Sequence, residues 1–124
     1  MSPAPPLRVV NRSRGTVLAA AVRTAGSFRA RFTGLLGTRD LPAGQGLWIA
    51  RCRCVHTFGM RYPIDVAFLG AEDVVVGVSE WLVPNRISRF CPDARGALEV
   101  PAGTLAPALT EVGDRLVFQP AGRP

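Results

Sequence analysis

In the stretch Ile64-Asp65-Val66-Ala67-Phe68-Leu69, the residues Ile64, Val66 and Phe68 alternate with Asp65, Ala67 and Leu69. That is the two-residue period of a β-strand, whose successive side chains point to opposite faces. Gly70 to Asp73 supplies a turn, and Val74 to Leu82 is rich in β-formers, so the two segments predict a hairpin. Upstream, Leu7 to Val10 suits a short strand and Asn11 to Gly15 a turn. Thr16 to Arg23 carries alanines that favour helix, yet its length and its position after a turn predict a second strand. Gly46 to Ala50, Ala97 to Val100 and Arg115 to Phe118 complete the strand set. Ser27 can cap a helix over about 27–37, because Phe28, Phe32, Leu35 and Leu36 fall at i, i+4, i+7 and i+8 before Gly37. Pro101 suits the first turn of a shorter helical segment, about 101–108.

These elements predict an α+β fold, mostly antiparallel β: a compact, partly closed β-barrel-like domain with one main helix and one helical turn. Residues 1–6 read as a flexible lead-in, 7–119 as a single domain and 120–124 as a flexible tail. A length of 124 residues suffices for a continuous core without staples, and 48% hydrophobic residues argues against disorder. Thirteen Gly and eleven Pro suit short strands joined by turns better than a helix bundle.

The formal charge is +6, and all fifteen basic residues are Arg. They are scattered along the chain and no basic helix gathers them, so a compositional bias toward Arg is the favoured account over selection for phosphate or carboxylate recognition. The charge implies only a weak general attraction to anionic partners. Three Cys form no complete disulfide framework, the N-terminus lacks a secretory pattern, and the longest apolar run is too short for a membrane span. A cytoplasmic, reduced protein is expected.

The chemistry-bearing residues crowd into His56-Thr57-Phe58-Gly59-Met60-Arg61-Tyr62-Pro63-Ile64-Asp65, which holds the only histidine and the only tyrosine. His56 and Asp65 could pair as base and orienting carboxylate in a small hydrolase or isomerase. The plainer reading has both bonding backbone groups around an irregular β connection. Cys52, Cys54 and His56, spaced by two, could join Cys91 in a zinc- or redox-responsive set, although the tight Cys-x-x-Cys knuckle is missing. Free cysteines are commonly small buried hydrophobes. Pro63 marks a bend that would present Arg61 and Tyr62, with the Tyr62–Pro63 bond trans by default. Met60 and Phe58 read as core. Glu99, out of phase with Leu98 and Val100, either faces solvent or needs a cation such as Arg61. Nucleic-acid binding would draw on Arg51-Cys52-Arg53 with Trp48, Phe58 and Tyr62, but no established signature occurs and it is not expected.

Four blocks together resemble a known family. They are Phe32-Thr33-Gly34-Leu35-Leu36-Gly37-Thr38-Arg39-Asp40-Leu41, Gly46-Leu47-Trp48-Ile49, the His56 to Asp65 block, and Leu98-Glu99-Val100-Pro101-Ala102-Gly103 with Gly113-Asp114. In this order they are similar to domain-of-unknown-function family 192, from about Leu7 to Phe118. The resemblance implies a single α+β domain and no assigned activity. It also implies that an export signal is frequent in relatives, and that Cys54 replaces what is more often a small polar residue.

The reading that follows is a non-enzymatic binding or accessory module without a cofactor. Its site is expected to draw on His56, Arg61, Tyr62, Asp65, Arg86 and Glu99. The ligand would be a small polar or anionic molecule, or a segment of a partner protein.

Overall fold

A computed structural model describes residues 5–25 and 40–121. Seven strands follow one another: β1 (Leu7–Asn11), β2 (Thr16–Ala25), β3 (Gln45–Ala50), β4 (Ile64–Leu69), β5 (Val75–Leu82), β6 (Gly96–Pro101) and β7 (Leu116–Pro120). They form one sheet in the order β5-β4-β6-β3-β2-β1-β7. Every neighbouring pair is antiparallel except β2 and β3. The sheet curls into an open half-barrel. Its outermost strands, β5 and β7, approach at one end, where Val74 and Arg115 make an isolated bridge and the Val75 N–H reaches the Asp114 carbonyl at 2.8 Å. The barrel-like expectation fits this curl.

Curling gives the sheet an inner and an outer face. Val9, Leu18, Val22, Leu69, Val75, Leu98, Val100 and Leu116, from six of the strands, fill the inner face. Leu47, Ile49, Ile64, Val66, Phe68 and Ala97 form a second cluster on the outer face. Because β4 is buried along its whole length, its two interleaved sets of side chains serve both clusters. Fully burying a side chain such as Phe68 or Leu98 stabilises the fold by roughly 1.5–3 kcal/mol.

The outer cluster is covered by a flap made of two irregular segments, 51–60 and 83–95. Their backbones pair like an antiparallel ladder. The Thr57 N–H donates to the Arg86 carbonyl and the Ser88 N–H to the Val55 carbonyl, each at 2.8 Å. Further along, the Cys91 N–H donates to the Arg53 carbonyl at 2.8 Å and the Arg51 N–H to the Arg95 carbonyl at 2.6 Å. His56 and Ile87 are bridge partners in the middle. Val55, Met60 and Cys91 point inward into the outer cluster. A Cβ on Gly77 of β5 would lie 2.5 Å from the Cys91 sulfur, so this seating requires glycine there.

Two helical expectations meet different ends. The helix over 27–37 lies outside the described residues. The helical turn over 101–108 is corrected: Pro101 is the last residue of β6, and the following residues form successive turns. The reason is the Asp65 carboxylate. One of its oxygens accepts the N–H groups of Gly103, Thr104 and Leu105 at 3.0–3.1 Å, with Gly103 at φ +84°, so these amides turn toward β4. Leu105 and Ala108 are thereby seated in the inner cluster. Almost no helix remains among the described residues, where Ala71–Asp73 forms a single 3-10 turn. None is long and apolar enough to cross a membrane.

Candidate functional site

The residues nominated from sequence separate onto three levels. Asp65 lies on the inner face and is fully buried. In the β4–β6 register it stands opposite Val100, whereas Glu99 stands opposite Val66. Adjacent register positions point to opposite faces, so Asp65 and Glu99 are on different sides of the sheet. Asp65 also gives its second carboxylate oxygen to the Trp81 N–H at 2.9 Å, holding Trp81 at φ +52° at the end of β5. Four backbone amides therefore occupy this one carboxylate. The plainer sequence reading, a side chain bonding backbone at an irregular connection, describes this geometry.

Glu99 has the opposite surroundings. It is 5% exposed on the outer face, between Val66 of β4 and Leu47 of β3. Among the described residues its carboxyl has no side-chain hydrogen bond or ion pair. Arg61, the cation expected beside it, is exposed. Desolvation alone pushes the Glu99 carboxyl up to about 7, from an ordinary 4.5. Its burial corrects the solvent-facing alternative, and the exposure of Arg61 corrects the paired one.

His56 occupies the third level, on the outside of the flap. It is exposed and stacks on Phe58 with ring centroids 5.4 Å apart, while its Nδ1 accepts the Phe58 N–H at 3.3 Å. The sheet thus stands between His56 and Asp65, and the acid–base pair considered from sequence is not assembled. Phe58, expected in the core, is 48% exposed, whereas Met60 is buried as expected. Ile87, the bridge partner of His56, is 64% exposed, with Val83 and Phe90 also open to solvent on the second flap segment. Arg86 is exposed beside Ile87, and its guanidinium donates to the Asn85 carbonyl at 3.1 Å. Tyr62 is half-buried against the outer cluster, and the Tyr62–Pro63 bond is trans.

The four residues of the zinc-binding alternative are not gathered into a metal-holding group. Cys52 and Cys91 are buried, whereas Cys54 and His56 are exposed, and the Cys52 thiol donates to the Cys54 carbonyl at 3.0 Å. No three His, Cys, Asp or Glu side chains among the described residues are placed to hold a metal. All three cysteines are free thiols, and burial pushes the Cys91 thiol up.

Sequence reasoning passed over Asn11 and Asp114. The Asn11 amide, fully buried, donates to one Asp114 oxygen at 3.0 Å, and the Glu111 N–H donates to the same oxygen at 3.0 Å. Arg14 pairs with that oxygen at 3.1 Å. Burial alone would raise the Asp114 carboxyl, but the Asn11, Glu111 and Arg14 donors together hold it below the usual range. The signal was a turn signal, Gly113-Asp114. What it concealed is a joint between the β1–β2 turn and the approach to β7.

A match to the DUF192 family, described as Uncharacterized ACR, spans residues 9–118. The chain belongs to this family. No curated protein matches it. Among solved structures it is similar to a "putative transcription regulator" from Sinorhizobium meliloti 1021. That likeness has 24% identity and a TM-score of 0.78, covering 95% of this chain and 96% of the other. It is also similar to a protein of unknown function from Novosphingobium aromaticivorans DSM 12444. Here the identity is 20% and the TM-score 0.78, with coverage of 94% and 93%. At these identities the likeness establishes the fold. The family and both neighbours carry no established activity, and nothing among them shows an enzyme.

Proposed function

We propose that this DUF192 chain is a non-enzymatic docking module, one domain spanning about 7–119, whose flap receives an acidic, apolar-anchored segment of a partner protein. The observation that carries this reading is the outer side of the flap. Phe58, Val83, Ile87 and Phe90 are between 43% and 64% exposed there, although buried surface lies directly beneath them. Large apolar side chains gathered on one exposed element mark an interaction surface, where single scattered ones do not. The charge supplies the partner's chemistry. Segments 51–61 and 83–95 carry Arg51, Arg53, Arg61, Arg86, Arg89 and Arg95 against one acid, Asp93. Carboxylates flanking an aliphatic or aromatic anchor would complement that field.

His56, Arg61 and Arg86 form the polar rim in this reading, and Tyr62 backs it. Asp65 contributes as the frame that holds the sheet end, and Glu99 is buried on the outer face of β6. Selection of a random displayed peptide library on the immobilised protein tests the proposal. Enriched peptides are expected to carry acidic residues around one large apolar side chain, with affinity that weakens as salt rises. Ile87→Ser and Phe58→Ser should each weaken those peptides about tenfold while leaving the melting temperature unchanged. Enrichment of basic or unbiased peptides, or binding indifferent to both substitutions, would overturn it.

A further inference from the structure

Where β3 ends and the two flap segments meet at their far rung, an open cleft of about 460 Å³ is lined by Arg51, Arg53, Ala94 and Arg95. We propose that this cleft is a binding site for a phosphate group. Its volume falls within the range of small-ligand sites. Three guanidinium-bearing residues surround it, and no carboxylate is among its described lining residues. Neither Arg53 nor Arg95 has an ion pair among the described residues. Guanidinium forks match the oxygens of a phosphate in pairs, a geometry that Lys does not provide.

The backbone pre-organises the cleft. The Arg51 N–H bonds the Arg95 carbonyl at 2.6 Å, and the Arg95 N–H bonds the Leu69 carbonyl at 2.7 Å. On the other side the Cys91 N–H holds the Arg53 carbonyl at 2.8 Å, and the Ala94 N–H closes a turn onto the Cys91 carbonyl at 3.0 Å. All three arginines are thus anchored to the end of the sheet or to one turn. Arg51 itself sits at φ +57°, a left-handed conformation that Gly adopts more readily. A strained position that nonetheless carries a long cationic side chain is a pattern found at ligand sites.

A compact phosphate fits this arrangement better than a nucleic-acid strand. Trp48 is engaged edge-on with Phe118, with ring centroids 5.2 Å apart, on the inner side of the sheet. Phe58 is stacked with His56 toward the other end of the flap ladder. No aromatic residue is among the described residues lining the cleft, so the cleft itself offers no base a stacking platform. Phe58 and Ile87 lie toward the other end of the ladder from the cleft. Phe58→Ser and Ile87→Ser therefore test the docking surface without altering the phosphate site, and the two readings can fail separately.

Calorimetric titration of the full chain with inorganic phosphate, at constant ionic strength, tests the site. Saturable binding is expected, weakened about tenfold by Arg53→Gln and by Arg95→Gln. Arg12→Gln, an exposed position in the β1–β2 turn, should leave it unchanged. Phosphatidylcholine vesicles with and without phosphatidic acid form the second arm. Retention on phosphatidic acid that both Gln variants abolish assigns the phosphate to a lipid headgroup. Binding of free phosphate without retention assigns it to a soluble phosphate compound. Flat titrations in both arms, or affinities that neither variant changes, would overturn the site. Tighter binding of a single-stranded oligonucleotide, with a salt dependence reporting several phosphates, would also overturn it in favour of a nucleic-acid surface.

Discussion

Asp65 and Glu99 lie one register position apart on neighbouring strands, both buried, and the fold treats them in opposite ways. On the inner side, the turns after β6 and the end of β5 bring four backbone N–H groups to the Asp65 carboxylate. On the outer side, Glu99 is buried with no side-chain donor among the described residues. The difference teaches that the cost of burying a carboxyl is set by what the surrounding backbone can turn toward it. Asp65 organises its environment, whereas burial pushes the Glu99 carboxyl up toward its neutral form.

The largest effect expected from this contrast is at Asp65. Replacing it with Ala would strand several backbone donors at once, each worth roughly 1–3 kcal/mol when buried, so Asp65→Ala should destabilise by about 4 kcal/mol in chemical denaturation. A loss under about 1 kcal/mol would mean that the 101–105 turns hold themselves, and the contrast would collapse.

Glu99 should report through pH. Its folded carboxyl titrates at about 7, above the 4.5 of an ordinary glutamate, so between these values the folded state binds a proton that the unfolded state has released. Stability from this group is therefore fullest at low pH and is lost as pH rises through that window, by about 3 kcal/mol in all. Asp114 acts with the opposite sign, since its lowered carboxyl costs stability only as pH falls. Subtracting the Glu99→Gln stability profile from that of the unsubstituted chain isolates the Glu99 component, because Gln cannot titrate. A flat difference from pH 5 to pH 8 would show that Glu99 is solvated or paired after all.

The smallest effect sharpens the same point. If Glu99 is neutralised by its own proton, Arg61 has no part in it. Arg61→Ala should then shift stability by less than about 0.5 kcal/mol and leave the pH profile in place. A steeper profile in that variant would restore the ion pair considered from sequence.

Much of the frame was legible. The alternation in Ile64 to Leu69 announced a strand, and the residues after it announced the hairpin, which β4 and β5 form in antiparallel register. The choice of strand over helix for Thr16 to Arg23 followed from a short segment after a turn, and β2 occupies it. Local signals failed where a distant group had the stronger claim on the backbone. Pro101 satisfies every rule for opening a helix, but the Asp65 carboxylate, 38 residues away from Gly103 in the chain, draws the amides that a helix would have used.

The candidate site was less legible for a related reason. A cluster of scarce residue types located the flap, since His56, Phe58, Arg61 and Tyr62 belong to it or adjoin it. Nearness in sequence carried no information about which side of the sheet each side chain meets. The sequence by itself determined the strands, their turns and the family, because those depend on periodicity and on residues with restricted backbones. Only the tertiary structure decided that Asp65, Glu99 and His56 occupy three separate levels. It also decided that Arg51 and Arg53 join Arg95, because register and the pairing of the two flap segments are set by contacts between residues far apart in the chain.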